Sequence, residues 1–254
     1  MEGYEYTKLP RPKIVNRYHF LQDKSRDRSV LDVGFACHYL NAEDIDPARW
    51  MHYWLRQVAR RIVALDINEQ FVASVRKLHP DWECVVGNAE NVGELPGFQG
   101  SFEIIIAGEL VEHLSNPGNF IKSCRLCLAD GGSLIISTPL PTTYWRTWLP
   151  TFGVEVVHHE HCMYHSYSTL RELLRRYDMQ ITEAAVFPSY GTVDRRYGGF
   201  TCQLIKRTLV RIEKCLSGVL CQLFPYWSAG IIIVAETMPE SGDARRGRPT
   251  AGVG

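Results

Sequence analysis

The sequence predicts an α/β protein built around a doubly wound, parallel sheet. Short β-branched and aliphatic runs alternate with segments of helical periodicity along the chain. The central runs show little alternation of apolar and polar residues, which is typical of strands that are covered on both faces. Turn residues such as Gly34 and Gly87 close these runs.

The elements follow in chain order, and the strands are predicted at 29–33, 62–66, 82–86, 102–107, 133–137, 179–187 and 230–236. Helices are predicted between them at 69–77, 117–128 and 168–176. An earlier helix carries Trp50, Trp54 and Val58. After residue 138, closely spaced prolines and tryptophans predict an irregular or short-helical excursion. Apolar residues at steps of three and four predict a longer helix over 203–223.

The chain of 254 residues is long enough for one large domain. We expect a single domain over 13–238, with its core at 28–139. Lid elements are expected at 140–178 and 188–227. The segments 1–12 and 239–254 are expected to be flexible, since the second is rich in Gly, Pro, Arg and Ser.

The charges balance, because Lys and Arg number 28 and so do Asp and Glu. Zero net charge argues against a protein that holds nucleic acid by bulk electrostatics. We find no signal-peptide pattern and no apolar run near the ~20 residues that a membrane-spanning helix needs. The eight cysteines are too sparse for a disulfide framework. We therefore expect a cytoplasmic protein with reduced thiols, and the sequence leaves a homodimer open.

Small and polar residues follow successive predicted strands. Gly34 comes after the first strand, Asp66 ends the second and Asn88 follows the third. In a doubly wound sheet, ligands bind outside the carboxyl ends of the strands. A small-residue turn followed by an acidic residue suits a nucleoside, because the turn permits close backbone approach and the carboxylate accepts from ribose hydroxyls. The Asn88 amide oxygen could accept from the exocyclic amino group of adenine.

An ordered set of motifs over residues 28–139 resembles that of class I S-adenosylmethionine-dependent methyltransferases. The motifs are Val30-Leu31-Asp32-Val33-Gly34, Asp66, Gly87-Asn88-Ala89-Glu90, 102–106 with 109–117, and 128–139. The most similar subgroup is that of small-molecule enzymes related to ubiquinone-biosynthesis O-methyltransferases. The resemblance implies a Rossmann-like, doubly wound, seven-stranded sheet of order 3-2-1-4-5-7-6. It also implies an antiparallel last strand and helical lid insertions.

The resemblance further implies S-adenosyl-L-methionine as cofactor and a small-molecule methyl acceptor. Asp66 would hold the ribose, Asn88 and Ala89 would contact the adenine, and the turn at Gly34 would pass under the methionine portion. Some relatives bind the cofactor carboxylate through an arginine at the position of Arg17, and a surface arginine is the alternative. The cofactor-binding residues implied in this way are Arg17, Asp32, Gly34, Ala36, Asp66, Ile67, Asn88, Ala89 and Glu109.

The pattern Glu109-x-x-Glu112-His113 leaves three interpretations open. On a helix these residues share one face, and two carboxylates with an imidazole could hold a divalent ion. Ubiquinone O-methyltransferases and plant-type small-RNA 2′-O-methyltransferases bind magnesium through this pattern, so the resemblance implies an Mg²⁺ site at Glu109, Glu112 and His113. If these residues bind a metal, His161 could be a further ligand. Alternatively, these residues line the pocket without a metal, or they only organise the helix.

A second cluster of histidines lies between the fifth and sixth predicted strands, at His158, His159, His161 and His165. Relatives often place a histidine there, facing the methyl group of the cofactor. A histidine could deprotonate an alcohol or a phenol, because its reference pKa of about 6.5 suits neutral pH. We predict His161 or His158 as the catalytic base, with His113 as a further candidate. The alternative role is to satisfy backbone groups of the loop.

Three functions remain open at this point. The first is methyl transfer from S-adenosyl-L-methionine to a hydroxyl or amine of a small molecule, in secondary-metabolite or quinone-like biosynthesis. The second is Mg²⁺-dependent 2′-O-methylation of RNA, which the zero net charge disfavours. The third is a cofactor-binding scaffold that has lost catalysis, because Ala36 and His38 stand where the family usually has glycines.

Overall fold

The computed structural model describes residues 6–36, 39, 41–188, 211, 215 and 217–239. They form one mixed sheet with helices on both of its faces. Its strands are β1 (Lys13–Ile14), β2 (Ser29–Val33), β3 (Arg61–Asp66), β4 (Glu83–Val86), β5 (Phe102–Gly108), β6 (Leu128–Pro139), β7 (Met179–Phe187) and β8 (Gly230–Thr237).

The order of the strands across the sheet is β1-β7-β8-β6-β5-β2-β3-β4. Every neighbouring pair is parallel except the two that involve β8, which is antiparallel to β6 and β7. The predicted strands 1 to 7 correspond to β2 to β8. The predicted order 3-2-1-4-5-7-6, with an antiparallel last strand, is therefore confirmed for these seven strands. The predicted count needs one correction, because β1 adds an eighth strand beside β7. A two-residue strand carries too little pattern to be predicted from sequence.

The helices of the described residues agree with the predictions in three places and differ in two. They are α1 (Arg17–Ser25), α2 (Met51–Arg56), α3 (Glu69–Leu78), α4 (Pro117–Cys127), α5 (Tyr144–Trp148) and α6 (Tyr167–Arg175). The helix before β3 is shorter than predicted, because Trp50 precedes it and Val58 follows it. Helix α1 was not predicted, since its only marked signal is the cap in which the Asn16 side chain accepts from the His19 backbone.

Part of the predicted lid lies outside the described residues. Residues 217–223 are helical, as predicted, but most of the helix over 203–223 is not described. His38 and the segments 1–5 and 240–254 also lie outside the described residues. Within the expected amino-terminal tail, the Pro10 carbonyl accepts a hydrogen bond from the Tyr226 hydroxyl at 2.9 Å.

The two faces of the sheet are covered because consecutive residues of the central strands belong to different apolar clusters. Val30 and Ile104 pack on the side of α1. The next residues, Leu31 and Ile105, pack on the side of α4. All four side chains are buried. Burial on both faces explains why these strands show no polar alternation in the sequence.

Aromatic side chains attach the segment between β2 and α2 to helix α3. Trp50 is buried, and its indole Nε1 donates to the Phe35 carbonyl at 2.9 Å. The Phe35 ring contacts both Trp50 and Phe71, with centroid distances of 6.1 and 5.3 Å. These contacts fix the turn after β2, which contains Gly34 and Ala36.

Candidate functional site

A cleft opens at the carboxyl ends of β2, β3, β4 and β5. Its larger part encloses about 850 Å³ and its smaller part about 320 Å³. The two parts adjoin, since the residues that line both are Gly34, Asp66, Ile67, Leu110 and His113. The cleft therefore lies where doubly wound sheets bind their ligands.

Gly34 forms a wall of the cleft without a side chain. Its φ is +79°, and an added Cβ would lie 2.9 Å from Leu110 Cδ1. Its backbone NH donates to the Leu65 carbonyl at 2.8 Å, which joins the end of β2 to β3. Glycine is thus required here for both the backbone conformation and the free space, and the main chain stays accessible from the cleft.

The Asp66 carboxylate links two turns at the floor of the cleft. Its Oδ2 accepts from the Ala36 backbone NH and its Oδ1 accepts from that of Asn68, each at 2.9 Å. Burial raises the pKa of Asp66, and these backbone hydrogen bonds partly offset that rise. Each oxygen keeps a further lone pair. The carboxylate can therefore accept from a ligand hydroxyl while it holds the turn at Ala36.

Asn88 and Ala89 line the smaller part of the cleft. The Asn88 Oδ1 accepts from the Glu90 backbone NH at 2.9 Å and so caps the helical turn Ala89–Glu94. This bond occupies one lone pair of the oxygen that was predicted to contact a ligand. A second lone pair and the two amide protons of Asn88 remain for that contact.

Arg17, the first residue of α1, lines the larger part of the cleft and does not lie on the outer surface. Its Nε donates to Ser137 Oγ at 3.0 Å. A Cβ added to Gly108 would lie 2.7 Å from Arg17 Nη2, so the guanidinium occupies space that the glycine leaves. The side chain brings a permanent positive charge to the ends of β5 and β6.

The segment after β5 is not the helix that was predicted. Glu109 adopts φ +57°, and only Val111–His113 forms a single helical turn. The prediction that Glu109, Glu112 and His113 share one helical face is therefore wrong. All three still line the larger part of the cleft, because the left-handed Glu109 turns the chain sharply. Such strained residues concentrate at functional sites.

Glu112 is completely buried at the base of the cleft. Its Oε2 accepts from Thr138 Oγ1 at 2.9 Å, and its Oε1 has no hydrogen-bond partner within the described ranges. Burial, and then the nearby Glu109 charge, raise the pKa of Glu112 to about 8. Its backbone carbonyl accepts from the Cys162 NH at 2.9 Å. That bond holds the loop that carries His161 against the cleft.

Two histidines stand beside Glu112. Ligating atoms of Glu112, His113 and His161 all lie within 4.8 Å of one another. His113 Nδ1 lies 3.1 Å from the Glu160 carbonyl, so Nδ1 donates and Nε2 of the neutral ring is left as an acceptor. Glu109 does not belong to this group of three. The predicted set of Glu109, Glu112 and His113 is thus replaced by Glu112, His113 and His161.

The other histidines of the predicted cluster lie away from the cleft lining. His158 is exposed, and its ring centroid is 5.0 Å from that of His161. His159 is exposed as well. His165 is buried, which lowers its pKa, and its Nε2 has no hydrogen-bond partner among the residues that the structure describes. Of this predicted cluster, the structure brings His161 into the lining of the cleft.

Asp32 is the predicted cofactor residue that the structure keeps out of the cleft. It is buried and paired with His52, and it lines neither part of the cleft. Three further residues that no motif indicated line the larger part, namely Tyr39, Ile45 and Arg49. They belong to the long connection after β2, which has no strand-end signal in the sequence.

The described residues contain no helix that is both long and apolar enough to cross a membrane. This agrees with the absence of a long apolar run in the sequence.

Comparison with known proteins shows the family. A family described as "Methyltransferase domain" matches residues 8–184. A protein of Mycolicibacterium smegmatis named "Probable S-adenosylmethionine-dependent methyltransferase" is 33% identical over 127 residues, which are 50% of this chain and 44% of that protein. A ubiquinone biosynthesis O-methyltransferase of Caulobacter sp. (strain K31) is 38% identical over 58 residues, which are 23% of either chain.

The chain thus spans less than half the length of these two curated relatives. The crystal structure of an S-adenosylmethionine-dependent methyltransferase from Archaeoglobus fulgidus has a TM-score of 0.53 and 15% identity, covering 86% of this chain and 93% of that one. At that identity the likeness shows the fold alone, and it confirms the Rossmann-like class. The family match covers well over half of the chain and confirms the resemblance seen in the motifs. This chain belongs to the methyltransferase-domain family.

Proposed function

We propose that this protein transfers the methyl group of S-adenosyl-L-methionine to a hydroxyl or an amine of a small molecule. The observation that carries the proposal is the single cleft in which Gly34, Asp66 and Asn88 follow one another along three strand ends. The family match supports the reaction class. A place in secondary-metabolite or quinone-like biosynthesis is part of the proposal, supported by the similarity to a ubiquinone O-methyltransferase.

The residues of the cleft fit this cofactor. The bare main chain of Gly34 at the cleft wall suits close approach of the methionine portion, and Arg17 could pair with its carboxylate. Asp66 would accept from the ribose hydroxyls. Asn88 and Ala89 would contact the adenine, beside the apolar and largely exposed side chain of Ile67. The cofactor would supply an electrophilic methyl group, so the protein's own part is orientation and removal of a proton from the acceptor.

His161 and His113 are the best candidates for the proton acceptor, because both line the larger part of the cleft. In His113 the Nε2 atom would receive the proton, since Nδ1 is bonded to the Glu160 carbonyl. Glu112 adjoins both rings, and its raised pKa would let it share that proton near neutral pH. His158 is the weaker candidate, because it is exposed and outside the cleft lining.

Magnesium does not fit the observed donor set. Glu112, His113 and His161 offer one carboxylate and two imidazoles, whereas Mg²⁺ prefers oxygen ligands in octahedral geometry. No catalytic step is therefore assigned to a metal. Methylation of RNA at the 2′ position, which would need that ion, loses its support with it. Methyl transfer that persists in EDTA is the expected result.

Binding of S-adenosylhomocysteine, measured by calorimetry, tests the cofactor proposal directly. We expect measurable binding to the wild type and binding that is at least about tenfold weaker for Asp66→Ala, because a carboxylate bonded to ribose hydroxyls is lost. Asp23→Ala is the control, since Asp23 is an exposed carboxylate on α1. No binding to folded wild-type protein would refute the proposal. Binding without any methyl transfer to acceptors would favour the scaffold that has lost catalysis.

A further inference from the structure

A separate small cavity lies in the connection between β6 and α6. It encloses about 150 Å³ and is lined by Arg146, Tyr164, Glu155 and six apolar residues. We propose that this cavity binds the carboxylate-bearing end of a compact, ring-containing methyl acceptor, with Arg146 and Tyr164 as the residues that recognise the carboxylate. The identification of this ligand as an acceptor rests on the proposed methyl transfer.

Arg146 carries a partly buried charge that no acidic side chain neutralises within the described residues. Its Nη1 donates to the Leu140 carbonyl at 3.0 Å. Its guanidinium lies over the rings of Trp145 and Tyr164, at 4.5 and 4.7 Å from their centroids. These contacts orient the cation, but a carbonyl and two rings do not offset its charge. A carboxylate is the partner that a planar guanidinium binds with paired hydrogen bonds.

Two polar atoms at this cavity lack hydrogen-bond partners among the described residues. They are Arg146 Nε and the Tyr164 hydroxyl, and both are shielded from solvent. Shielded donors without acceptors are costly, and both atoms belong to residues that line this cavity, so a ligand that accepts would offset that cost. An ionised carboxylate accepts through both of its oxygens and donates nothing. A carboxylate is therefore the group that suits both residues, once their side chains turn towards it.

The remaining wall is apolar and consists of Pro141, Leu149, Pro150, Val154, Val156 and Val157. An apolar lining with a few convergent polar groups is the usual composition of a small-molecule site. A cavity of about 150 Å³ lined by apolar side chains can hold benzene. The volume and the wall thus favour a ring that bears a carboxylate over a free phosphate, which has no apolar surface to place there.

Tyr164 lines this cavity and contacts a residue of the cleft. Its ring centroid lies 5.7 Å from that of His161, and His161 lines the larger part of the cleft. An acceptor anchored at Arg146 would extend past Tyr164 towards His161. Its nucleophilic hydroxyl or amine would then lie at the end remote from the carboxylate. The cavity would in this way select acceptors by the charge at their remote end.

Glu155 acts against the binding of an anion. It is an exposed carboxylate on the same wall and forms no ion pair with Arg146. Its negative charge would repel a bound carboxylate, although solvent screens part of that repulsion. Removal of this charge should therefore change anion affinity in the direction opposite to removal of the Arg146 charge.

Benzoate and benzamide are suitable probes, since they share one shape and differ in charge. Their affinities for the full-length protein can be measured by ligand-observed NMR titration. We expect the wild type to bind benzoate at least about tenfold more tightly than benzamide. Arg146→Gln should abolish this preference, Tyr164→Phe should reduce it several-fold, and Glu155→Gln should increase it. Arg125→Gln is the control, because Arg125 is an exposed arginine paired with Asp178.

Equal binding of the two probes by the wild type would overturn the inference, and so would a preference that survives Arg146→Gln. Tyr164→Phe keeps the ring that stacks on the guanidinium, so it serves as the test if Arg146→Gln does not fold. Binding of S-adenosylhomocysteine is measured on the same samples. If the protein binds S-adenosylhomocysteine but does not prefer benzoate to benzamide, only the carboxylate site is refuted. If it prefers benzoate but does not bind S-adenosylhomocysteine, only the proposed methyl transfer is refuted.

Discussion

His52 Nδ1 donates a hydrogen bond to Asp32 Oδ2 at 2.9 Å inside the protein. The two residues are 1% and 4% exposed. The His52 ring also packs against Phe35 and Trp82, with centroid distances of 5.2 and 5.0 Å. An acidic residue of the first motif thus supports the end of β2 from within the fold, and it does not contact the cleft.

Substitution of His52 by leucine should destabilise the fold, because Asp32 would lose its donor and stay buried. We expect the free energy of unfolding to fall by about 2–3 kcal/mol, the usual cost of an unsatisfied buried charge or hydrogen-bonding group. Urea denaturation followed by circular dichroism measures this change. His19→Leu is the control, since His19 is exposed on α1. Equal stability of the two variants would show that the buried pair contributes nothing.

The strand order could be predicted because each central strand is a short apolar run with a turn residue at its end. The same local signals placed Gly34, Asp66 and Asn88 at strand ends, and the structure brings them to one cleft. Helix α1 escaped prediction because it has a polar cap but only a thin apolar face. The resemblance indicated Arg17 as a cofactor-binding residue just before the first predicted strand. Its hydrogen bond to Ser137 could not be predicted, because the two residues are far apart in sequence and meet only in the fold.

The grouping at Glu112 could not be predicted from spacing. A left-handed Glu109 replaces the helix that the pattern of acids and histidine suggested, and local propensity rarely indicates such a residue. The Cys162 NH of the loop after β6 donates to the Glu112 carbonyl and so brings the neighbouring His161 to Glu112, a contact between residues far apart in sequence. Sequence reasoning found both residues, and it joined them only as ligands of one metal ion.

Gly34 and Gly97 form a matched pair for testing the cleft. Their φ angles are +79° and +78°, but a Cβ at Gly97 meets nothing within 4 Å, whereas one at Gly34 meets Leu110. Gly97→Ala should cost about 1 kcal/mol from backbone strain and leave ligand binding unchanged. Gly34→Ala should cost more and should weaken S-adenosylhomocysteine binding by at least about tenfold, since the new methyl group fills the cleft wall. Calorimetry measures the affinity of both variants for S-adenosylhomocysteine. Equal affinities would contradict the placement of Gly34 at the ligand-binding wall of the cleft.

Glu103 should make stability depend on pH. It lies at the amino end of the central strand β5, at the end of the strand opposite the cleft. It accepts from the Ser29 backbone NH at 2.9 Å and from the guanidinium groups of Arg28 and Arg60 at 2.7 Å each. The bond from Ser29, and then that from Arg28, lower the pKa of Glu103 to about 2. Because this pKa lies below the ordinary value of 4.5, the stabilisation is present above about pH 4.5 and is lost as the pH falls towards 2.

Glu103→Gln is therefore expected to lower the free energy of unfolding by about 1 kcal/mol at neutral pH, as for a small network of surface charges. The difference from the wild type should shrink as the pH falls through about 2 and vanish below it. Denaturant titrations across this range measure it. Glu83→Gln is the control, because the Glu83 pair with Arg61 is more exposed. A difference that stays constant with pH would contradict the assignment to the charge of Glu103.

Gly108→Ala should weaken ligand binding while it barely changes stability. The new Cβ would lie 2.7 Å from Arg17 Nη2, which is the far end of a flexible side chain and can move. That movement would disrupt the bond from Arg17 to Ser137 and would carry the positive charge away from the cleft. We expect S-adenosylhomocysteine binding to weaken several-fold in Gly108→Ala and by about tenfold or more in Arg17→Gln, which removes the charge entirely.

Gly118→Ala is the control for the same kind of clash. Gly118 lies on α4, and its new Cβ would collide with the hydroxyl of Tyr177, outside the cleft lining. This variant should lose stability, measured by urea denaturation, and keep the wild-type affinity for S-adenosylhomocysteine. If Gly108→Ala binds as tightly as Gly118→Ala, Arg17 does not hold the carboxylate of the ligand. The positive charge of Arg17 would then act on Glu112, because it lowers the pKa of that buried acid. Arg17→Gln should therefore raise the pKa of Glu112 further.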